Sequence, residues 1–211
     1  MERKDRANSA LNESFSDGVF AIAITLLIIE IKVPQLHGAD SATGLGAALL
    51  NLWSHYFAYV LSFLMIGIYW VNHHYLFGLF KRTDHIFGLL NVFFLMCIAF
   101  VPFPTAVLGE YLTDEHNRHA AVIFYALGLA LPGFGWFLIW FYASRNFRLI
   151  DKNLNPQFVA YLTRKFLTTD LVYFSAFFIS LWNSTLGLTI CVGLTLLYLL
   201  PSKKPVYSEN A

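Results

Sequence analysis

FSDGVFAIAITLLIIEIKVP, residues 15–34, is the stretch whose reading decides the fold. It passes from the polar pair Ser16-Asp17 straight into apolar residues and carries no further charge until Glu30, near its far end. As a helix rising about 1.5 Å per residue, a run of this length crosses a bilayer core of about 30 Å. The rest of the chain agrees. Its 211 residues are 57% apolar, 18% aromatic and only 13% charged, with mean hydropathy +0.58, where a soluble domain carries about 25% charged residues. The composition therefore implies an all-α integral membrane protein, multi-pass in the cell membrane. A net charge of +1 argues against a nucleic-acid partner.

Six apolar runs are long enough to be read as spans: 17–33, 49–71, 86–103, 120–143, 166–182 and 185–200. Only Asn183-Ser184 separates the last two, which predicts a tight helical hairpin; a single long kinked segment is the alternative. The charged start with Arg3, Lys4 and Arg6 resembles that of a signal peptide. The apolar run behind it is too long, and no small-residue cleavage site follows, so it is expected to remain as a helix. Residues 34–48, rich in Gly and Ala, suit a short helical turn.

Lys and Arg placement sets the expected orientation, because cytoplasmic loops collect them. With six spans, twelve of the fourteen basic residues share one side: Arg3, Lys4, Arg6, Lys81, Arg82, Arg145, Arg148, Lys152, Arg164, Lys165, Lys203 and Lys204. Arg118 alone lies in an opposite loop, and Lys32 sits at a helix end where it can snorkel. One domain over 1–211 is expected, with 1–14 a cytoplasmic N-terminal segment and 201–211 a cytoplasmic tail. Cys97 and Cys191 both lie within apolar runs, where a thiol behaves as a small hydrophobe.

Ionisable groups at membrane depth are costly and face a bundle interior or water. Here they are Asp17, Glu30, His55, His73, His74 and Asp170, with Asn72 and Asn91 as neutral companions. The adjacent His73 and His74 point about 100° apart on a helix and lack the spacing that aligns two ligands, so no metal site is expected. Ser16, His73 and Asp17 supply the residue types of a hydrolytic triad, but nothing fixes their geometry and no enzyme is expected. Asp170, in TTD before LVYF, reads as a cap or interfacial acid opening the fifth span at its cytoplasmic end.

Advancing about 100° per residue from Ile22 gathers Gly18, Ile22, Thr25, Leu26, Ile29 and Val33 into one stripe. Asp17 falls about 220° round the same wheel, and Glu30 about 80° round, beside the stripe near its outer end. Asp17 should therefore point into neighbouring helices as a buried carboxylate, with Trp70, Asn72, His73 and Asn91 as candidate donors. The stripe itself is either ordinary lipid- or core-facing aliphatic surface, or a pore wall in which rings of Ile and Leu gate by dewetting and one Thr hydroxyl per chain reaches the path. Periodicity does not choose between these.

FSDGVFAIAITLL (15–27), SFLMIGIYWVNHHYLF (62–77) and AFVPFPTAVLGEY (99–111) together resemble the bacterial members of the TMEM175 family of potassium channels. The resemblance is strong over the first three spans and rests on hydropathy over the last three. It implies a homotetramer of six-span subunits whose first helices line a central potassium path, with no TVGYG filter and no cofactor. It places bulky constriction residues at Ile22, Leu26 and Ile29 and a selectivity position at Thr25. It also assigns Phe15, Ser16 and Asp17 to a motif supported by a polar network at Trp70, Asn72, His73 and Asn91. The family motif carries Arg four residues before the Phe, where this chain has Leu11, so Asp17 loses one counter-charge. Glu30 would raise the local cation concentration at the outer mouth, or pair with Lys32 or a neighbouring subunit. A proton-permeable or proton-coupled transporter, relaying through Asp17 with His73 or His74, is the alternative. The Pro132-Gly133 interruption is the one hint of the broken helices that transporters use. A structural membrane protein without transport is the other rival.

Overall fold

The computed structural model describes residues 2–35, 40–200 and 203–208, with backbone alone for 2–11 and 40–43. Helix is the regular structure of the described residues, beside two isolated bridges. α1 (Glu2–Ile29) is followed by α2 (Asp40–Asn51), α3 (Trp53–Phe77), α4 (His85–Phe100), α5 (Pro102–Tyr111), α6 (Arg118–Ser144), α7 (Pro156–Ser180) and α8 (Ser184–Leu197). A short 3-10 turn, Arg145–Phe147, closes α6. Four helical stretches among the described residues are long and apolar enough to cross a membrane: Asn12–Ile29, Trp53–Phe77, His85–Tyr111 and Arg118–Phe147.

Several boundaries differ from those expected. The first helix begins at Glu2, because polar residues that end a hydrophobic run do not end a helix outside the bilayer. The side chains of Arg3, Lys4, Arg6 and Leu11 lie outside the described residues. The 34–48 segment holds part of α2, which is kinked at Gly44, and the chain then turns at Leu52, so the second apolar run is divided and α3 reaches Phe77. The third run is likewise divided at Val101, where Pro102 opens α5 as a residue with no backbone N–H to lose. By contrast, α6 runs through Pro132 without a break, so the transporter-like interruption is absent there.

α6 forms the centre of the bundle and packs against α4, α5, α7 and α8. Trp140, Tyr125, Tyr173, Phe87 and Phe94 are its largest fully buried neighbours and members. Because lipid tails are as apolar as a leucine side chain, helices in a bilayer are held by close packing and hydrogen bonds. Both are present: Ser62 Oγ lies 2.6 Å from Thr105 Oγ1 and 3.1 Å from the Tyr125 hydroxyl, joining α3, α5 and α6. Trp140 Nε1 donates to Thr163 Oγ1 on α7 at 2.9 Å.

At the end carrying most of the basic residues, backbone bonds join Phe80 to Ile150, and the tail to the loop before α7. Asn155 N donates to Val206 O and Ser208 N to Asn153 O, each at 2.9 Å. The Tyr75 hydroxyl donates to Lys203 O at 2.7 Å.

The last two helices form the hairpin that Asn183-Ser184 predicts, not one long kinked segment. Asn183 breaks the helix and its side chain accepts from Leu186 N, starting α8. Gly187 makes the close approach possible, since a Cβ there would lie 2.5 Å from Ser180 Cβ, 2.9 Å from Ser180 Cα and 3.0 Å from the Ala176 carbonyl. Gly187→Ala is expected to destabilise the protein by about 1–2 kcal/mol through overpacking against backbone. Thermal unfolding in detergent checks this; an unchanged melting temperature would mean that α7 and α8 separate freely.

Candidate ion pathway

α1 presents two unlike faces. Ser16, Phe20, Ala23 and Leu27 recur at helical spacing and are buried against α3, α4 and α5. The opposite side is uncovered: Ile22 is 62% exposed, Leu26 41% and Ile29 58%, with Val33 and Phe15 also exposed. Thr25 lies exposed within this stripe, its hydroxyl donating to the Ala21 carbonyl at 2.8 Å. Such a bond uses the hydroxyl's hydrogen and leaves both oxygen lone pairs free to accept. Glu30 follows the last turn of α1 half-buried. Lys32 Nζ donates to the Ile29 carbonyl at 2.9 Å, and among the described residues no ion pair joins it to Glu30.

The polar residues at the other end of the helix divide into two groups. Trp70 Nε1 donates to Asp17 Oδ1 at 3.0 Å, and His74 Nδ1 lies 3.8 Å from the same oxygen. His74 Nε2 is also 3.8 Å from Glu13 Oε1. Trp70 and His74 stand one helical turn apart with their rings edge to face at 4.8 Å, so α3 offers both to α1 together. Asp17 is 42% exposed, not the buried carboxylate expected, because its end of α1 stands at the margin of the single chain.

The second group is buried. Asn91 Nδ2 on α4 donates to Ser16 Oγ at 3.0 Å, and Ser16 Oγ donates to the Asn12 carbonyl at 2.7 Å. Asn91 Oδ1 lies 3.4 Å from His73 Nε2, so with the amide oriented this way the imidazole carries its hydrogen on Nε2. The His73 ring stacks on Phe77 at 4.0 Å and meets Phe20 edge to face at 5.5 Å. Asn72 Nδ2 donates to the Ile68 carbonyl within α3. His73 and Asn91 therefore hold Ser16 instead of Asp17, and His74 takes the place at the carboxylate.

Asp170 is not a helix cap. α7 begins fourteen residues earlier, at Pro156, where Asn155 accepts from Gln157 N. Asp170 consequently falls in the helix middle and is 6% exposed.

Comparison with known proteins gives this arrangement its class. The model of a family described as the endosomal/lysosomal potassium channel TMEM175 matches residues 12–102. A potassium channel of Chamaesiphon minutus is 40% identical over 202 residues, covering 96% of this chain and 98% of that one. A potassium channel of Streptomyces collinus is 46% identical over 143 residues, 68% of each chain. The crystal structure of a lysosomal potassium-selective channel TMEM175 homolog from Chamaesiphon minutus superposes with a TM-score of 0.82 at 37% identity, covering 92% of this chain and 97% of that one.

The fold is thus that of a helical membrane channel. The chain belongs to the TMEM175 family, which is one of ion channels and not of enzymes, and it is a multi-pass protein of the cell membrane.

Proposed function

We propose that the chain is one subunit of a homotetrameric potassium channel, with α1 of each copy lining the central path. The observation that carries this reading is the uncovered aliphatic stripe of Ile22, Leu26 and Ile29, set back to back with a face of α1 buried in its own subunit. A relative similar over nearly the whole chain bears the name potassium channel. Four such stripes around an axis make successive apolar rings, a gate that closes by dewetting and needs no cofactor. Thr25 supplies a ring of hydroxyls between them, where potassium is told from sodium. Glu30 faces the outer mouth and concentrates cations by its field. Ser16 and Asp17, with Trp70, His73, His74 and Asn91, form the polar support that holds α1 against α3 and α4, while Phe15 lies on the uncovered side and Asn72 bonds within α3.

Six spans follow if α7 and α8 cross together with the four longest apolar stretches, and both termini are then cytoplasmic by the placement of Lys and Arg. Partners are the other copies of the chain, the bilayer and potassium ions.

Flux through purified protein in liposomes under a potassium gradient tests the proposal. Downhill potassium flux exceeding sodium flux, with no dependence on a proton gradient, is expected. Strict coupling to protons would replace it with the transporter, and absence of flux with a structural role. Asp17→Asn keeps an acceptor for Trp70 and removes the charge facing His74. It is expected to weaken subunit assembly by at most about 1 kcal/mol, the scale of an exposed pair, and to leave selectivity unchanged. Cross-linking of subunits and the potassium-to-sodium flux ratio read the two effects separately. A fully assembled tetramer with lost selectivity would place Asp17 at the path instead.

A further inference from the structure

Away from α1, a cavity of about 30 Å³ lies between α3, α6, α7 and the end of α8, lined by Met65, Tyr69, Gly133, Trp136, Asp170 and Tyr198 among others. Space for about 10–15 Å³ of probe volume already holds one water, so the cavity has room for a water-sized occupant. Asp170 Oδ2 is buried there without a hydrogen-bond partner, and among the described residues Asp170 makes no ion pair. A carboxylate withdrawn from water without a partner is among the most costly groups a membrane protein can hold. A replacement by an apolar residue would remove that cost, so its position calls for an occupant that returns the lost interaction.

The surrounding groups define what that occupant is. The Tyr69 hydroxyl and Asp170 Oδ1 converge above Gly133, since a Cβ on this residue would meet them at 3.2 and 2.6 Å. Glycine at this point of α6 therefore leaves room for two oxygens. Tyr198 contributes a second hydroxyl-bearing side chain to the wall and Tyr173 a third, whose hydroxyl donates to Met65 Sδ at 3.4 Å. Thr169 on α7 also lines the cavity, its hydroxyl donating to the Lys165 carbonyl. α6 contributes only Gly133 and Trp136, so no fixed charge faces Asp170 from that side. The nearby cation is Lys165, whose Nζ lies over the Tyr198 ring at 5.4 Å from its centroid. Tyr198 is a shared wall: it also lines an open cleft of about 350 Å³ beside Lys165 and a groove of about 610 Å³ along α1 and α3. An anion or a bulky apolar ligand fits neither the charge nor the volume.

We propose that Asp170, Tyr69 and Tyr198 form a buried site for one small monovalent cation, separate from the conduction path. A dehydrated alkali ion and a proton delivered as hydronium share the required chemistry: single positive charge, small size, and affinity for carboxylate and hydroxyl oxygens. The site is independent of the channel reading and would stand if that reading failed.

Thermal stability of the purified full chain decides it, measured against potassium, sodium and pH with N-methylglucamine as the replacing ion, for wild type and Asp170→Asn. Ions held along the axis, and titration elsewhere, act equally on both proteins, so the difference between them reads the cavity. Alkali-ion stabilisation present in the wild type and lost in Asp170→Asn assigns an alkali ion; a lost response to acid alone assigns the proton. Superimposable curves for the two proteins would overturn the proposal. If Asp170→Asn fails to fold, Tyr69→Phe carries the same test: removing one hydroxyl bonded to a charged group should shift the midpoint about tenfold, and an unmoved midpoint would overturn it.

Discussion

Ile22→Asn is expected to raise potassium flux about tenfold, the equivalent of removing roughly 1.4 kcal/mol from the barrier to permeation. In the proposed tetramer the variant replaces a whole ring of aliphatic side chains by amides, which hold water where the native ring expels it. Ile29→Asn, two helical turns further along the same stripe, should act in the same direction. Both side chains are largely exposed in the single subunit, so neither change opens a cavity in the core or strands a polar group inside it. That separates the effect on conduction from any effect on folding. A change at Ala23 or Leu27, on the buried face of α1, would not allow this separation. The measurement is liposome flux at matched protein density; unchanged conductance in both variants would remove the stripe from the path.

The sequence made the helical membrane class legible because apolar runs and charge density are properties of composition and order. Helix ends were less legible where polar residues continue a helix beyond the bilayer, and Asp170 shows the consequence. Its reading as a cap took TTD for a beginning, whereas Asn155-Pro156 carries the actual start signal, an N-cap side chain followed by Pro in the first turn. That signal was present in the chain. So was the spacing that puts His74 beside Trp70 at the Asp17 carboxylate, since residues four apart share a helical face. What no wheel reveals is which face of α1 its own subunit covers. The phase of the Ile22 stripe was readable from spacing, but that Ser16, Phe20, Ala23 and Leu27 take the packing depends on α3, α4 and α5 arriving at that side. The Asp170 cavity is still further from sequence, because it depends on Gly133 and Tyr69 meeting from different helices.

Asn91→Leu is expected to destabilise the protein by about 3 kcal/mol, since it leaves a buried imidazole N–H unsatisfied and removes the donor to Ser16. Interhelical hydrogen bonds within membranes average only about 0.6 kcal/mol when both partners can find substitutes in the unfolded state. The larger figure applies here because Asn91→Leu removes one partner and strands the other, whereas the average is the coupling of a pair. His73 is fully buried, its Nδ1 already lacks a partner, and aromatic rings surround it. Among the described residues the His73 ring has no other hydrogen-bond partner. Ser16 keeps its bond to the Asn12 carbonyl, so its share of the loss is smaller. The same argument makes a second prediction about the pair: His73→Phe combined with Asn91→Leu removes donor and acceptor together and should recover most of the stability, as apolar replacement of both partners is nearly neutral. Thermal unfolding of the two single variants and the double variant closes the cycle. A single variant as stable as the wild type would mean that the amide contributes little. A double variant no more stable than the single would mean that the cost comes from shape and not from the orphaned ring. Because Asn91 joins α4 to α1 through Ser16, loosening it should also free the near end of the proposed pore helix, seen as faster amide exchange in α1 than in α6.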